Sequence, residues 1–318
     1  MVSNNPEPRK LISIVTPCYN EEKNIQELYE RIKKVFENLK DYDYEHILID
    51  NASTDNTVKV IDEIAAKDKN VKYIVNSRNF GHIRSPYHGL LQAKGDAAML
   101  MVSDLQDPPE LIPQFITKWE AGNQIVLGVK KTSKESPLMF AVRKTYYNLI
   151  DAISTINHEK NYTGFGLYDK RIVEILRDIQ DPYPYFRGLI LELGFNVDRV
   201  YYEQPRRKRG LTKNNLLTLY DMAMLGICSY SRVPMRLATI AGFALSVLSL
   251  LIAILFLILK LIFWHEYMSG LAPLVIGLFF LGSVQLFFIG LLGEYIGFIA
   301  TKNSKFPIVI EKYRKNFE

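Results

Sequence analysis

An apolar run, Ala97 to Val102, ends on Ser103-Asp104, and Gln106, Asp107 and the pair Pro108-Pro109 follow. A turn needs no carboxylate at the mouth of a buried strand. A site that holds a cation against a phosphate does, and two prolines would fix the loop that carries it. Late in the chain Arg206-Arg207-Lys208-Arg209 and Lys213 supply the opposite charge. Such a cluster grips phosphate, or it is drawn to anionic lipid without a specific contact. Where the cluster grips phosphate, both chemistries are those of a phosphorylated substrate.

The elements that must position these residues are legible from periodicity. Leu11 to Pro17, Tyr44 to Asp50, Val71 to Val75 and Ala97 to Val102 read as strands. Helical spacing fills Asn24 to Lys40, Thr57 to Ala66 and Ile83 to Ala93 between them. Gln124 to Val129 and Val197 to Tyr202 read as further strands. Strands alternating with helices of this length give an α/β fold with a mostly parallel sheet, whose ligand lies beyond the strands' carboxyl ends. All four early strands end in polar loops: Pro17 to Glu22, Asp50 to Asp55, Asn76 to His82, and Asp104 to Asp107. Taken alone, Ser53, Thr54 and Asp55 could simply cap the next helix. Ser136 to Ile156 reads as an amphipathic helix carrying Arg143 and Lys144. It packs on a core or lies in a membrane interface.

The 318 residues carry a net charge of +5, with the basic residues clustered late beside hydrophobic segments. That pairing favours membrane headgroups over nucleic acid. Leu237 to Leu259 contains no charged residue and as a helix would reach roughly 35 Å, enough for a hydrocarbon core of about 30 Å. Tyr267 to Gly293 is a second uncharged run. Arg232, Arg236, Lys302 and Lys305 flank the pair, so the positive-inside rule puts both ends in the cytoplasm. The sequence thus predicts a multi-pass integral membrane protein with its large N-terminal domain on the cytoplasmic face. Cys18 and Cys228 are too few for a disulfide framework or a metal knuckle. Residues 1–10 lack the apolar stretch of a signal peptide.

The segments "VTPCYNEEKNI", "IDNASTDNT", "RNFGH" and "SDLQDPPELI" resemble the nucleotide-sugar loops of family 2 inverting glycosyltransferases, which have the Rossmann-like GT-A fold. The later "RRKRGLTK" and "GICSYSRVPMRL", ahead of two apolar runs, resemble the polyisoprenyl-phosphate glycosyltransferases, a group that includes bactoprenol glucosyltransferases and dolichol-phosphate mannose synthases. The resemblance implies a GT-A domain over 1–210, juxtamembrane amphipathic helices over 211–232, two transmembrane helices over 233–301 and a basic cytoplasmic tail over 302–318. Its implied activity is inverting transfer of a sugar, glucose from UDP-glucose foremost, to a polyisoprenyl phosphate such as undecaprenyl phosphate. The implied partners are the UDP-sugar, that lipid and the surrounding membrane; a homo-oligomer, dimer or tetramer, stays open.

The resemblance assigns Pro17, Tyr19, Asn20, Glu21, Asp50, Asn79, Gly81 and Asp104 to the nucleotide sugar. Asp50 suits the edge of uracil and Tyr19 its face. Asp104 and Gln106 would hold Mg²⁺ or Mn²⁺ against the diphosphate. Arg206, Arg209 and Lys213 join Asp104 as catalytic candidates, and with Arg143 they would hold the acceptor phosphate. Three positions depart from the pattern. Val102 stands where many relatives have the first acid of Asp-x-Asp, and Asn161 and Gly166 stand where relatives often have an acid and an arginine. These departures leave a non-catalytic membrane subunit or lipid-linked-sugar translocator as one alternative. A processive polysaccharide synthase is another, although Trp119 and Trp264 lie in no Gln-x-x-Arg-Trp context.

Overall fold

A computed structural model describes residues 9–131, 159, 161–205, 216–231, 233–262 and 271–317. These fall into two compact units. One holds the described residues up to 205 together with 304–317, and the other lies within 216–303.

The first unit is built on one eight-stranded sheet. Its strands are β1 (Lys10–Cys18), β2 (Tyr42–Asp50), β3 (Val71–Asn76), β4 (Ala97–Leu100), β5 (Ile125–Lys130), β6 (Tyr162–Asp169), β7 (Val197–Tyr202) and β8 (Glu311–Lys315). Their order across the sheet is β7-β5-β6-β4-β1-β2-β3-β8. β1 pairs parallel with β2 and β4, β2 with β3, and β5 with β7. Only β6 and β8 run against the rest. The expected strand at 124–129 is therefore present, but β6 is inserted between it and β4.

Alternation along β1 shows why helices cover both faces. Ile12 and Ile14 point to one side and pack with α1 (Ile25–Glu37) and α4 (Ile112–Glu120), through Leu28, Ile32, Phe115 and Ile116. Val15 points to the other and packs with α3 (Gly81–Leu91), α5 (Lys170–Ile179) and α6 (Phe186–Glu192), through Leu90, Ile172, Leu176 and Ile190. α2 (Thr57–Lys67) covers Leu48 with Ile61 and Ile64. The period of two in the strand meets a period near four in the helices, so each element hides one stripe. Gly89 lets α3 lie tight on the sheet: a Cβ there would meet Ile49 Cγ2 at 2.9 Å and Val15 Cγ1 at 3.0 Å.

The second unit is helical: α7 (Leu216–Tyr230), α8 (Val233–Ile262) and α9 (Leu271–Lys302). Val233–Ile252 and Gly277–Lys302 are long and apolar enough to cross a membrane, with mean hydropathies of 2.0 and 1.6. Their large apolar side chains are outward-facing, Phe243 and Phe279 each at 73% exposure. That pattern suits a lipid solvent and not a soluble core. α9 runs past the uncharged stretch that ends at Gly293, through Glu294 and Tyr295, whose hydroxyl donates to Ser231 O at 3.0 Å, and ends at Lys302, beside the bound of 301 expected for the spans.

The last residues of the chain, read in the sequence only for their charge, carry a strand. β8 lies antiparallel on β3, with Tyr73 opposite Lys315 and Val75 opposite Tyr313. Asn316 closes the corner, its side-chain amide donating to Ala65 O at 2.9 Å and Val71 O at 2.8 Å.

Candidate active site

Because β1 to β4 are mutually parallel, their carboxyl ends share one edge of the sheet. β5 and β7 run the same way, and β6 begins there. Pro17 and Asp50 lie at the ends of β1 and β2 on that edge, Gly81 opens α3, and Tyr19, Asn20, Glu21, Asn79, Asp104 and Gln106 are on its loops. Arg143, Arg206, Arg209 and Lys213, and the helix expected over 136–156, lie outside the described residues. β7 ends at this edge in Tyr202, and the basic run follows it in sequence.

The backbone at this edge is strained where the loops leave the strands. Asn20, Ala52 and Leu105 have φ of 57°, 61° and 62°, at the ends of β1, β2 and β4. Asn161, just ahead of β6, has φ 63°. Left-handed conformations cost non-glycine residues of order 1 kcal/mol each and persist where surrounding contacts enforce them.

Those contacts are specific. The loops after β1 and β2 are laced together: Asn20 N donates to Ser53 Oγ at 2.9 Å, Thr54 N to Asn20 Oδ1 at 2.8 Å, and Glu21 N to Thr57 Oγ1 at 2.8 Å. Glu21 is buried and accepts from Asn24 Nδ2 at 2.6 Å. Asn20 and Glu21 therefore bind the two loops to each other, whatever else they touch. Asp50 is fully buried and accepts from Ser53 N at 2.9 Å and from the Ser53 hydroxyl. Burial pushes its carboxyl above the ordinary range, against the pull of those bonds. Each carboxylate oxygen keeps capacity for a further donor. Pro17 and Tyr19 are half-buried beside it. Asp55 accepts from Thr57 N at 2.9 Å, so part of this polar loop does start α2, as a cap would.

Asn51 is a site residue that sequence reasoning passed over. It is 7% exposed and uses its whole amide on the loop after β3. Its Nδ2 donates to Asn79 Oδ1 at 2.9 Å and Gly81 O at 3.1 Å, and its Oδ1 accepts from Phe80 N at 2.8 Å and Asn76 Nδ2 at 3.1 Å. Gly81 opens α3 at φ 84°, and the Arg78 guanidinium lies 4.1 Å over the Phe80 ring. A buried amide one residue beyond an apolar strand was the available signal.

In the β4 loop Asp104 is half-buried, and its Oδ1 accepts from Gln106 N at 3.1 Å. Gln106 Nε2 donates to Pro205 O at 3.3 Å, which leaves its Oε1 for another group. Asp107 is a buried pillar. It accepts from Tyr202 OH at 2.9 Å and from Val102 N at 3.3 Å. Desolvation pushes its carboxyl up to about 6. Val102, in the place of a relative's acid, is 39% exposed. Gly166, in the place of a relative's arginine, has no room for a side chain: a Cβ would meet Val126 O at 2.8 Å and Tyr168 Oη at 3.0 Å.

Among the described residues no three His, Cys, Asp or Glu side chains gather as a metal cluster. One carboxylate and one amide oxygen fit a hard cation that arrives with a diphosphate and takes most of its ligands from phosphate and water. They do not fit a cation held by protein alone. Both cysteines are free.

The model of glycosyl transferase family 2 matches residues 13–179, from β1 through α5. The SfII prophage-derived bactoprenol glucosyl transferase of Shigella flexneri is 34% identical over 308 residues, 96% of this chain and 99% of that one. The prophage bactoprenol glucosyl transferase homolog of Escherichia coli K12 is 33% identical over 306 residues, with the same coverage. Among solved structures, glucosyl-3-phosphoglycerate synthase from Mycobacterium tuberculosis, in complex with Mn²⁺, UDP and phosphoglyceric acid, aligns with 69% of this chain and 76% of its own, at 19% identity and a TM-score of 0.45. A GT-A-like sheet with its polar loops on one edge, a family match over half the sequence and relatives aligned over nearly all of it lead to one assignment: the chain belongs to glycosyl transferase family 2.

Proposed function

We propose that this protein transfers glucose from UDP-glucose to a polyisoprenyl phosphate, with inversion, at the cytoplasmic face of a membrane. The observation that carries the reading is the alignment of bactoprenol glucosyl transferases over 96% of the chain, apolar helices included. The catalytic part is residues 1–210 completed by β8, followed by juxtamembrane helix over 211–232 and two spans over 233–301.

Pro17, Tyr19 and Asp50 hold the uracil, Asp50 by its remaining acceptor capacity and Tyr19 by its ring. Asn79 and Gly81, fixed by Asn51, bring backbone close to the nucleotide. A divalent cation, Mg²⁺ or Mn²⁺, would be held by Asp104 and Gln106 Oε1 and would offset charge on the departing diphosphate. The acceptor phosphate has a second pKa near 6 and is mostly dianionic at neutral pH, so no protein base has to take a proton from it. Its oxygen forms the new bond to the anomeric carbon while the bond from that carbon to the UDP oxygen breaks, and UDP leaves with the electron pair. Arg206, Arg209, Lys213 and Arg143 orient the two phosphate groups and stabilise their charge. The absence of an acid at Asn161 and of an arginine at Gly166 is consistent with a reaction that needs positioning more than proton transfer.

The test is membrane-embedded protein with glucose-labelled UDP-glucose and undecaprenyl phosphate. Label should move into an organic-soluble lipid phosphate ester, with inverted configuration at the anomeric carbon. Label in a growing polymer, or none transferred to any lipid, would overturn the proposal.

A further inference from the structure

The loop Ser77 to Gly81 lies between β3 and α3 and depends on few anchors of its own. Ser77, Arg78 and Asn79 are exposed, and only Phe80 is buried, at 6%. Asn51 holds it from the β2 side. On the other side stands β8, which in the sequence comes after α9.

The strand reaches the point where β3 turns into the loop. Ile310 O accepts from Ser77 N at 2.9 Å, and Glu311 lies opposite Asn76 across a register irregularity at Val75/Asn76. The Glu311 carboxylate then spans to the far side of the loop. Its Oε1 meets His88 Nε2 at 2.7 Å, two turns into α3. Arg314 braces the same carboxylate, with Nε to Oε2 at 2.7 Å and Nη2 to Oε1 at 2.5 Å. Glu311 is only 17% exposed in its side chain, and His88 is 16% exposed, so the contact is shielded from solvent. One residue is thus held against both the strand that enters the loop and the helix that leaves it. The other end of β8 has a more exposed contact that touches no site loop: Lys315 Nζ donates to Asp62 Oδ1.

We infer that Glu311 is a positioning residue for the nucleotide-sugar site, setting the loop Ser77 to Gly81 through Asn76 on one side and His88 on the other. The donor site is then built from chain on both sides of the apolar helices. This rests on the reading of that edge as the UDP-sugar site.

The experiment uses the full chain in detergent or membranes, with Glu311→Ala, the conservative Glu311→Gln, and Lys315→Ala as the control at the opposite end of the strand. UDP affinity is measured by calorimetry, KM and kcat for UDP-glucose by transfer, and folding by thermal melting. Glu311→Ala should weaken UDP binding and raise KM by about tenfold, as loss of a charged hydrogen bond implies, with kcat nearly kept. Glu311→Gln should recover part of the loss. Lys315→Ala, which breaks an exposed pair at the far end of the same strand, should leave UDP affinity unchanged. Unchanged UDP affinity in Glu311→Ala, or an equal loss in Lys315→Ala, would overturn the inference while the donor-site reading stands. Wild-type protein that binds no UDP would overturn the donor-site reading and this inference with it.

Discussion

The Tyr202 hydroxyl donates to the Asp107 carboxylate at 2.9 Å, joining the end of β7 to the loop after β4 across 95 positions of sequence. A second bond, Gln106 Nε2 to Pro205 O, ties the same two segments one step further out. The loop that carries Asp104 and the residues leading into Arg206 are therefore fixed to each other. Tyr202→Phe keeps the packing and removes one donor from a buried acid. It should cost about 1–3 kcal/mol of stability and lower transfer, with kcat affected more than UDP affinity. Thermal melting and steady-state rates check both.

Asp104→Asn keeps size and the bond from Gln106 N but removes the carboxylate charge. Activity should fall by about a hundredfold or more, while melting temperature and membrane insertion stay as in wild type. The dependence on added Mg²⁺ or Mn²⁺ should shift to higher concentration. Full activity, or turnover indifferent to chelator, would remove Asp104 from the metal site.

Asp50→Asn tests the uracil contact. The substitution keeps an acceptor for Ser53 and discards the charge, so the loop between β2 and α2 should survive. UDP should bind about tenfold more weakly, the loss expected of one charge-assisted hydrogen bond. Calorimetry with UDP alone, without acceptor, isolates this effect, and unchanged affinity would show that Asp50 only shapes the turn.

His46 gives a pH signature of the fold's stability. It is fully buried on β2, its Nε2 is 3.0 Å from Thr16 Oγ1, and its Nδ1 has no hydrogen-bond partner. Burial lowers its pKa from 6.5 to about 4. The folded state therefore binds fewer protons than the unfolded state between those values. Stability from the neutral ring is fully present above pH 6.5 and is lost as pH falls towards 4, by at most about 3 kcal/mol. His46→Gln should flatten the fall in melting temperature between pH 7 and pH 5.

On the acceptor side the cations should matter more than the acids. Arg206→Lys or Arg209→Lys keeps charge and loses the two-pronged grip on phosphate. Either change should raise KM for undecaprenyl phosphate several-fold, and Glu159→Gln, whose carboxylate is taken up by Arg199, should change it little. The acid limb of the rate profile should follow the phosphate's own pKa near 6. An essential Glu159 with silent arginine changes would reverse the assignment.

The four strand-end loops were readable because each follows a buried apolar run, and buried runs must stop where polar backbone meets solvent. The insertion of β6 between β4 and β5 was not readable, since alternation says which face a residue takes but not which strand is its neighbour. The bound of 301 for the second span was legible from the basic flank at Lys302, although the uncharged run itself stops at Gly293; a helix continues past Glu294 as long as its backbone bonds do. β8 was hidden by its composition: Glu311-Lys312-Tyr313-Arg314-Lys315 reads as a solvated tail, and charge is also how a sheet edge is kept from pairing with other chains. Asn51 and Asp107 stood in the loops in plain sight, but their bonds run to residues distant in sequence.

That late strand also sets an order of assembly. β3 leaves the ribosome with one edge open, a short segment rich in β-branched and aromatic residues, "VKYIVN", of the kind that pairs with stray chains. Its partner is synthesised over 230 residues later, which at about 5–20 residues per second is roughly 10 to 50 s. Both apolar helices are translated in that interval. The sheet is therefore sealed only after the segments suited to lipid have emerged, and a nascent chain stalled or cleaved between α8 and β8 would present an unpaired β3 to its neighbours.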